Sequence, residues 1–203
     1  MAGSWLRLTR VRDPDPPLLP PSRYDISKPC TTLNEDLCYP ETKAISTYLD
    51  QPWVRSKLGA SPGLGPFQSC SDKVGTNFGL SKDSLAPTFF HLTGLLENGV
   101  RVLIYVGQLD WICNFIGNRR MVEALEWSGK DEFAEAEMRD FYVGDSETPA
   151  GQAKVHGALT FVQIAGAGHM VPLDKPAESL YVTERWLAGE PIVAKEHWKV
   201  GGQ

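Results

Sequence analysis

The stretch Val100-Arg101-Val102-Leu103-Ile104-Tyr105-Val106 constrains this chain more than any other. β-Branched and aromatic side chains dominate it, and they suit a pleated surface. It lies between Gly99 and Gly107 and is too short for a buried helix, so it reads as a buried strand. Asp110 follows three residues after the closing glycine. A second strand is expected over residues 153–165, ending in Phe161-Val162-Gln163-Ile164-Ala165 and running into Gly166-Ala167-Gly168-His169. Each loop leads into helical spacing, from about Phe115 to Trp127 and from near Pro176 to Gly189. In the last helix Leu180, Thr183, Trp186 and Leu187 are expected to face inward. Strand, loop with Asp, helix, strand, loop with His, helix is the ordering of an α/β sheet. Such sheets gather functional side chains at the carboxyl ends of their strands.

The chain ahead of this unit is less regular. Pro40 to Leu49 reads as a helix with proline in its first turn, and Pro52 to Leu58 as a second one stopped by Gly59. Residues 60–82 are rich in Gly, Ser and Pro and read as loop. A helix is expected from about Leu85 to Asn98, with Leu92, Leu95 and Leu96 on its apolar face and Gly99 just past its end. Residues 139–144 read as a strand, and Gly144 to Gly151 has hairpin composition. Residues 1–22 hold Pro14, Pro16, Pro17, Pro20 and Pro21, a density that favours extended chain. Arg7, Arg10 and Arg12 stand where a secretory signal would be apolar. The segment is expected to be a disordered tail or sequence foreign to the fold, with no signal peptide.

At 203 residues and 42% hydrophobic, the chain has enough material for one domain with a proper core. Lys and Arg are scattered and the net charge is −5, so no nucleic-acid partner is expected. No apolar run reaches the ~18–20 residues that span a bilayer, so no membrane partner is expected either. Cys30, Cys38, Cys70 and Cys113 form no CxxC and no zinc-ligand spacing with histidine, so no metal and no cofactor are expected. Cys30 and Cys38 flank a short polar loop and could close it as a disulfide; a reduced cytosolic pair is the alternative.

A serine hydrolase needs an imidazole to take the hydroxyl proton and a buried carboxylate to hold the imidazole. In α/β-hydrolases the chain order is Ser, Asp, His, and Asp110 and His169 fit the last two places. Singly, each has a plainer reading: a turn aspartate and a solvated loop histidine. A nucleophile should sit in Gly-x-Ser-x-Gly on a strand-to-helix turn. The one literal match is Gly59-Ala60-Ser61-Pro62-Gly63. It follows an expected helix, and Pro62 has no N–H to give to an oxyanion. The chain therefore supplies the base and its orienter without the serine.

The segment Gly107-Gln108-Leu109-Asp110-Trp111-Ile112-Cys113-Asn114 resembles the aspartate segment of the serine carboxypeptidases, the vacuolar fungal type in particular. Gly168-His169-Met170-Val171-Pro172 resembles their histidine segment. Tyr24-Asp25-Ile26-Ser27-Lys28-Pro29-Cys30 and Leu37-Cys38-Tyr39-Pro40 are similar to the same family. The resemblance implies an α/β-hydrolase fold of which this chain is the C-terminal part. Residues 23–91 would be a remnant of the cap insertion, and residues 92–203 the end of the catalytic domain. It implies Asp110 and His169 as triad acid and base, and Cys30–Cys38 as a disulfide. Ile112 and Cys113 would line the pocket for the penultimate side chain; Tyr24, Tyr39 and Met170 would line that for the departing residue. The partner would be the C-terminus of a peptide, with a missing N-terminal half supplying the nucleophile. The implied setting is vacuolar or secreted. The competing readings are a non-catalytic fragment or peptide-binding module, and an acyltransferase of the same family.

Overall fold

The computed structural model describes residues 21–30 and 38–193. Residues 1–20 of the expected tail lie outside that range. Pro21 and Ser22 lie within it: Pro21 is exposed but forms an isolated bridge with Pro29. Ser22 is buried, its amide donates to the Lys28 carbonyl at 2.8 Å, and its hydroxyl accepts from the amides of Tyr24 and Asp25.

The centre is a mixed sheet of β1 (Val102–Gly107), β2 (Arg139–Phe141), β3 (Gly151–His156) and β4 (Leu159–Ile164), in the order β1-β4-β3-β2. β1 and β4 run parallel with Val102 opposite Leu159; the other pairs are antiparallel. Every residue of β4 is buried, as a strand covered on both faces requires. Its side chains alternate between two apolar clusters. Leu159 and Phe161 join Val102, Val106, Val122 and Phe133 on one face, while Val162 and Ile164 join Phe141, Val171 and Val182 on the other. Each such buried side chain contributes about 1.5–3 kcal/mol by leaving water. The first face is covered by α4 (Phe89–Glu97), α5 (Phe115–Glu123) and α6 (Lys130–Glu135); α8 (Pro176–Ala188) covers the second.

Four expectations change. The single strand over 153–165 is a hairpin, folded where Gly157 takes φ +52°. Apolar residues on both sides of that turn hide it from a search for periodicity. The loop over 60–82 contains α3 (Asp72–Ser81), capped by the Ser71 hydroxyl, which accepts from the Val74 amide. The helix after Asp110 stops at Glu123, because Leu125 turns into the core with no exposed surface. α8 is rotated from its expected orientation: Ser179 and Val182 face inward while Leu180 and Leu187 are exposed. Two aromatic residues set that rotation. Tyr181 stacks on Phe141 and donates to the Ile192 carbonyl, and Trp186 lies under the Arg101 guanidinium.

Ahead of the sheet, α1 (Thr42–Leu49) and α2 (Pro52–Lys57) match their expected positions, and Gly59 follows at φ +69°. The 91/92 boundary between the two expected regions falls inside α4. Among the described residues no helix is long and apolar enough to cross a membrane.

Candidate active site

The carboxyl ends of β1 and β4 lie side by side, so the loops that leave them are neighbours. The Gln108 amide donates to the Ile164 carbonyl at 3.0 Å, and the Leu109 amide to that of Ala167 at 2.8 Å. Gly107 makes this approach possible, since a Cβ there would stand 2.0 Å from the Gly168 carbonyl oxygen. Residues 59 positions apart are thereby joined: His169 Nδ1 lies 2.8 Å from Asp110 Oδ2. The Asp110 side chain is 5% exposed and the His169 side chain 41%. The other carboxylate oxygen accepts from the Cys113 amide at 3.1 Å. Asp110 is thus fixed on both oxygens, and Nε2 is the imidazole nitrogen left for a reacting group.

A third segment, residues 21–30, closes the arrangement. The His169 amide donates to the Tyr24 carbonyl at 2.7 Å, and the amides of Trp111 and Ile112 both reach the Arg23 carbonyl. Gly168 has room only for hydrogen here, as a Cβ would meet the Tyr24 oxygen at 2.5 Å. The Tyr24 ring lies 5.3 Å from the imidazole, tilted by 56°.

The residues expected at the site fall into two groups. Tyr24 and Cys113 contact the Asp110–His169 pair, Ile112 and Met170 lie within two residues of it along the chain, and all four are exposed or half-buried. Tyr39 lies beneath it, 3% exposed, where its hydroxyl accepts from the Met170 amide and donates to Asp174. Burial pushes its phenol up to about 12. Cys113 is free, and its thiol is raised by burial and by the Asp110 charge, so it holds its proton. Donor atoms of Asp110, Cys113 and His169 lie within 4.8 Å of one another, which is ligand spacing for a cation. The hydrogen bond between Nδ1 and Asp110 already engages two of those donors. Cys30 and Cys38 form a disulfide, with Cα atoms 5.3 Å apart.

Three charged residues escaped the sequence reading. Asp174 accepts from the Gly168 amide, Tyr39 and Lys28, and Lys28 also pairs with Asp25 at 2.9 Å. Burial works against the Asp25 charge, but Ser27 and Lys28 outweigh it and hold the carboxyl below its ordinary value. Lys28 and Asp25 sit inside a recognisable motif; Asp174 follows the histidine by five positions with no pattern to mark it.

The family model described as serine carboxypeptidase matches residues 11–189. The carboxypeptidase Y homolog A of Phaeosphaeria nodorum is 40% identical over 167 residues, and that of Talaromyces marneffei 42% over 170. Each alignment takes in 82% of this chain and 30% of the relative, so the chain spans under a third of their length. Among solved structures, Kex1(delta)p, a prohormone-processing carboxypeptidase from Saccharomyces cerevisiae, superimposes with a TM-score of 0.69 at 26% identity. That match covers 83% of this chain and 36% of the yeast protein. The sheet is accordingly part of an α/β-hydrolase fold.

Proposed function

The chain belongs to the serine carboxypeptidase family, and from that membership we propose that Asp110 and His169 are the acid and base of a triad that cleaves C-terminal peptide bonds. The carrying observation is the 2.8 Å bond between a buried carboxylate and Nδ1 of a half-exposed imidazole. Asp110 fixes the tautomer with the proton on Nδ1 and stabilises the imidazolium. Nε2 then takes the proton of a serine hydroxyl as it attacks the scissile carbonyl. It later returns that proton to the departing amino group, and water resolves the acyl-enzyme by the same steps in reverse. Tyr24, Ile112, Cys113 and Met170 would line the pockets on either side of the scissile bond, with Tyr39 as the floor beneath Met170.

The serine is not read in these 203 residues. Ser61 follows the helix α2, its neighbour Pro62 lacks an N–H, and its carbonyl is taken up in a turn to Leu64. The protonated thiol of Cys113 is a poor replacement nucleophile. The nucleophile and oxyanion hole would come from the remainder of the family fold, on a longer product or a separate chain. The second reading, a non-catalytic polypeptide that binds peptide C-termini, rests on that same position of Ser61. The disulfide fits an oxidising route, vacuolar or secreted.

The test is to incubate the purified chain with a serine-directed fluorophosphonate and map any label by peptide mass. The expected result is no label on this chain alone, and label on an upstream serine when the remainder of the fold is supplied. A label on Ser61 would contradict the assignment.

A further inference from the structure

Three consecutive amides of the histidine loop are each held by a different part of the chain. Gly168 donates to Asp174 Oδ2 at 2.9 Å, His169 to the Tyr24 carbonyl at 2.7 Å, and Met170 to the Tyr39 hydroxyl at 3.4 Å. Two of these three depend on one carboxylate. Tyr39 can accept from Met170 in line only because its own proton is directed at Asp174 Oδ2, 3.1 Å away. The second oxygen of Asp174 takes the Lys28 ammonium at 2.9 Å. Asp174 is 6% exposed in its side chain, so these three donors satisfy a charge that water barely reaches. It also ends a short helix, α7 (Val171–Asp174), that starts directly after Met170. The loop carrying the imidazole thus bends back onto its own carboxylate.

We infer that Asp174 is a positioning residue: through the Gly168 amide and the Tyr39 hydroxyl it holds His169 at Asp110, while Lys28 occupies its second oxygen. The role rests on the reading of His169 as the catalytic base, though the hydrogen bond it governs exists whether or not the chain turns over a peptide. Asp174 touches neither the imidazole nor any reacting atom, so it acts through the backbone of residues 168–170. Geometry is the essential requirement. An acceptor must stand at the Oδ2 position, and one displaced by a single methylene would pull Gly168 away from Tyr24 and swing the imidazole off Asp110. Charge is the lesser one, because an amide oxygen accepts from an N–H and an O–H nearly as well as a carboxylate does.

The two requirements separate in a substitution series read by NMR on the isotope-labelled full chain. The signal is the His169 Nδ1 proton, shifted to low field while bonded to a carboxylate and assigned by its loss in His169→Gln. Asp174→Asn is expected to keep that signal, since its oxygen can serve Gly168 and Tyr39. Asp174→Glu and Asp174→Ala are expected to lose or shift it, and the amides of Gly168 and Met170 should exchange with solvent at least about tenfold faster. A wild-type His169 signal in both the Glu and the Ala variants overturns the inference. So does an Asn variant that loses the signal as fully as Ala. If the Ala variant fails to fold, the contrast between Glu and Asn decides. If solvent exchange hides the proton in every chain, the ring 15N shifts of His169 decide in the same way. Absence of fluorophosphonate labelling bears on catalysis and leaves this result untouched.

Discussion

Tyr39 has the most constrained chemistry of any residue here. Its phenol is buried and raised from 10.0 to about 12, so the folded chain favours the neutral form. A group raised on folding contributes stability that is complete below its unfolded value and is lost as the pH climbs through its folded one. Alkaline titration should therefore leave stability unaffected by Tyr39 up to about pH 10, then erode it toward pH 12. Absorbance of the phenolate against pH, compared between the chain and Tyr39→Phe, checks this. One tyrosine should titrate late in the parent and be missing from the variant. The Asp110–His169 pair is legible from sequence because strand, glycine and polar residue follow one another along the chain, in Gly107 to Asp110 and in Gly166 to His169. Asp174 is not legible, because its partners Lys28, Tyr39 and Gly168 meet only in three dimensions. Gly107 and Gly168 are required by close approach, which no local pattern shows: each has backbone oxygen where a Cβ would go.

At the scale of elements, legibility depends on whether a local pattern and its burial agree. β1 satisfies both and is read almost to the residue; it starts at Val102 instead of Val100 because the Val100 amide is still bonded to Leu95 at the end of α4. β3 and β4 have Val155, Ala158 and Leu159 flanking their shared turn, so no break in apolar pattern marks it, and the positive φ of Gly157 divides them. α3 shows the opposite failure. It has no buried residue and carries Gly75 and Gly79, so neither pattern nor propensity announces it. Its Ser71 cap is the local feature that marks its start. Ser71→Ala should weaken this helix by about 1 kcal/mol. Because α3 packs nothing into the core, the loss should show as faster amide exchange over Val74 to Ser81 with the main melting transition unmoved. A fall in the main transition would mean that α3 supports the sheet.

The chain spans under a third of the length of its relatives, and it exposes apolar side chains near the Asp110–His169 pair. Tyr105 of β1, an edge strand of the sheet, Trp111 and Ile112 of the loop that leaves it, and Ile116 at the start of α5 are exposed. Exposed apolar groups next to an edge strand favour association. The chain alone should bind a hydrophobic dye and self-associate as concentration rises, measured by light scattering. A monomer with one sharp, cooperative melt would contradict this. The disulfide has a further consequence on this scale. It joins positions 30 and 38, two residues beyond Lys28 and one before Tyr39, the side chains that grip Asp174. The crosslink therefore works as a short tether that raises the effective concentration of two donors at one acceptor, without touching the acceptor itself. A reducing compartment would leave Asp110, His169 and Asp174 chemically intact, yet it would dilute the pair of contacts that keeps the imidazole aimed.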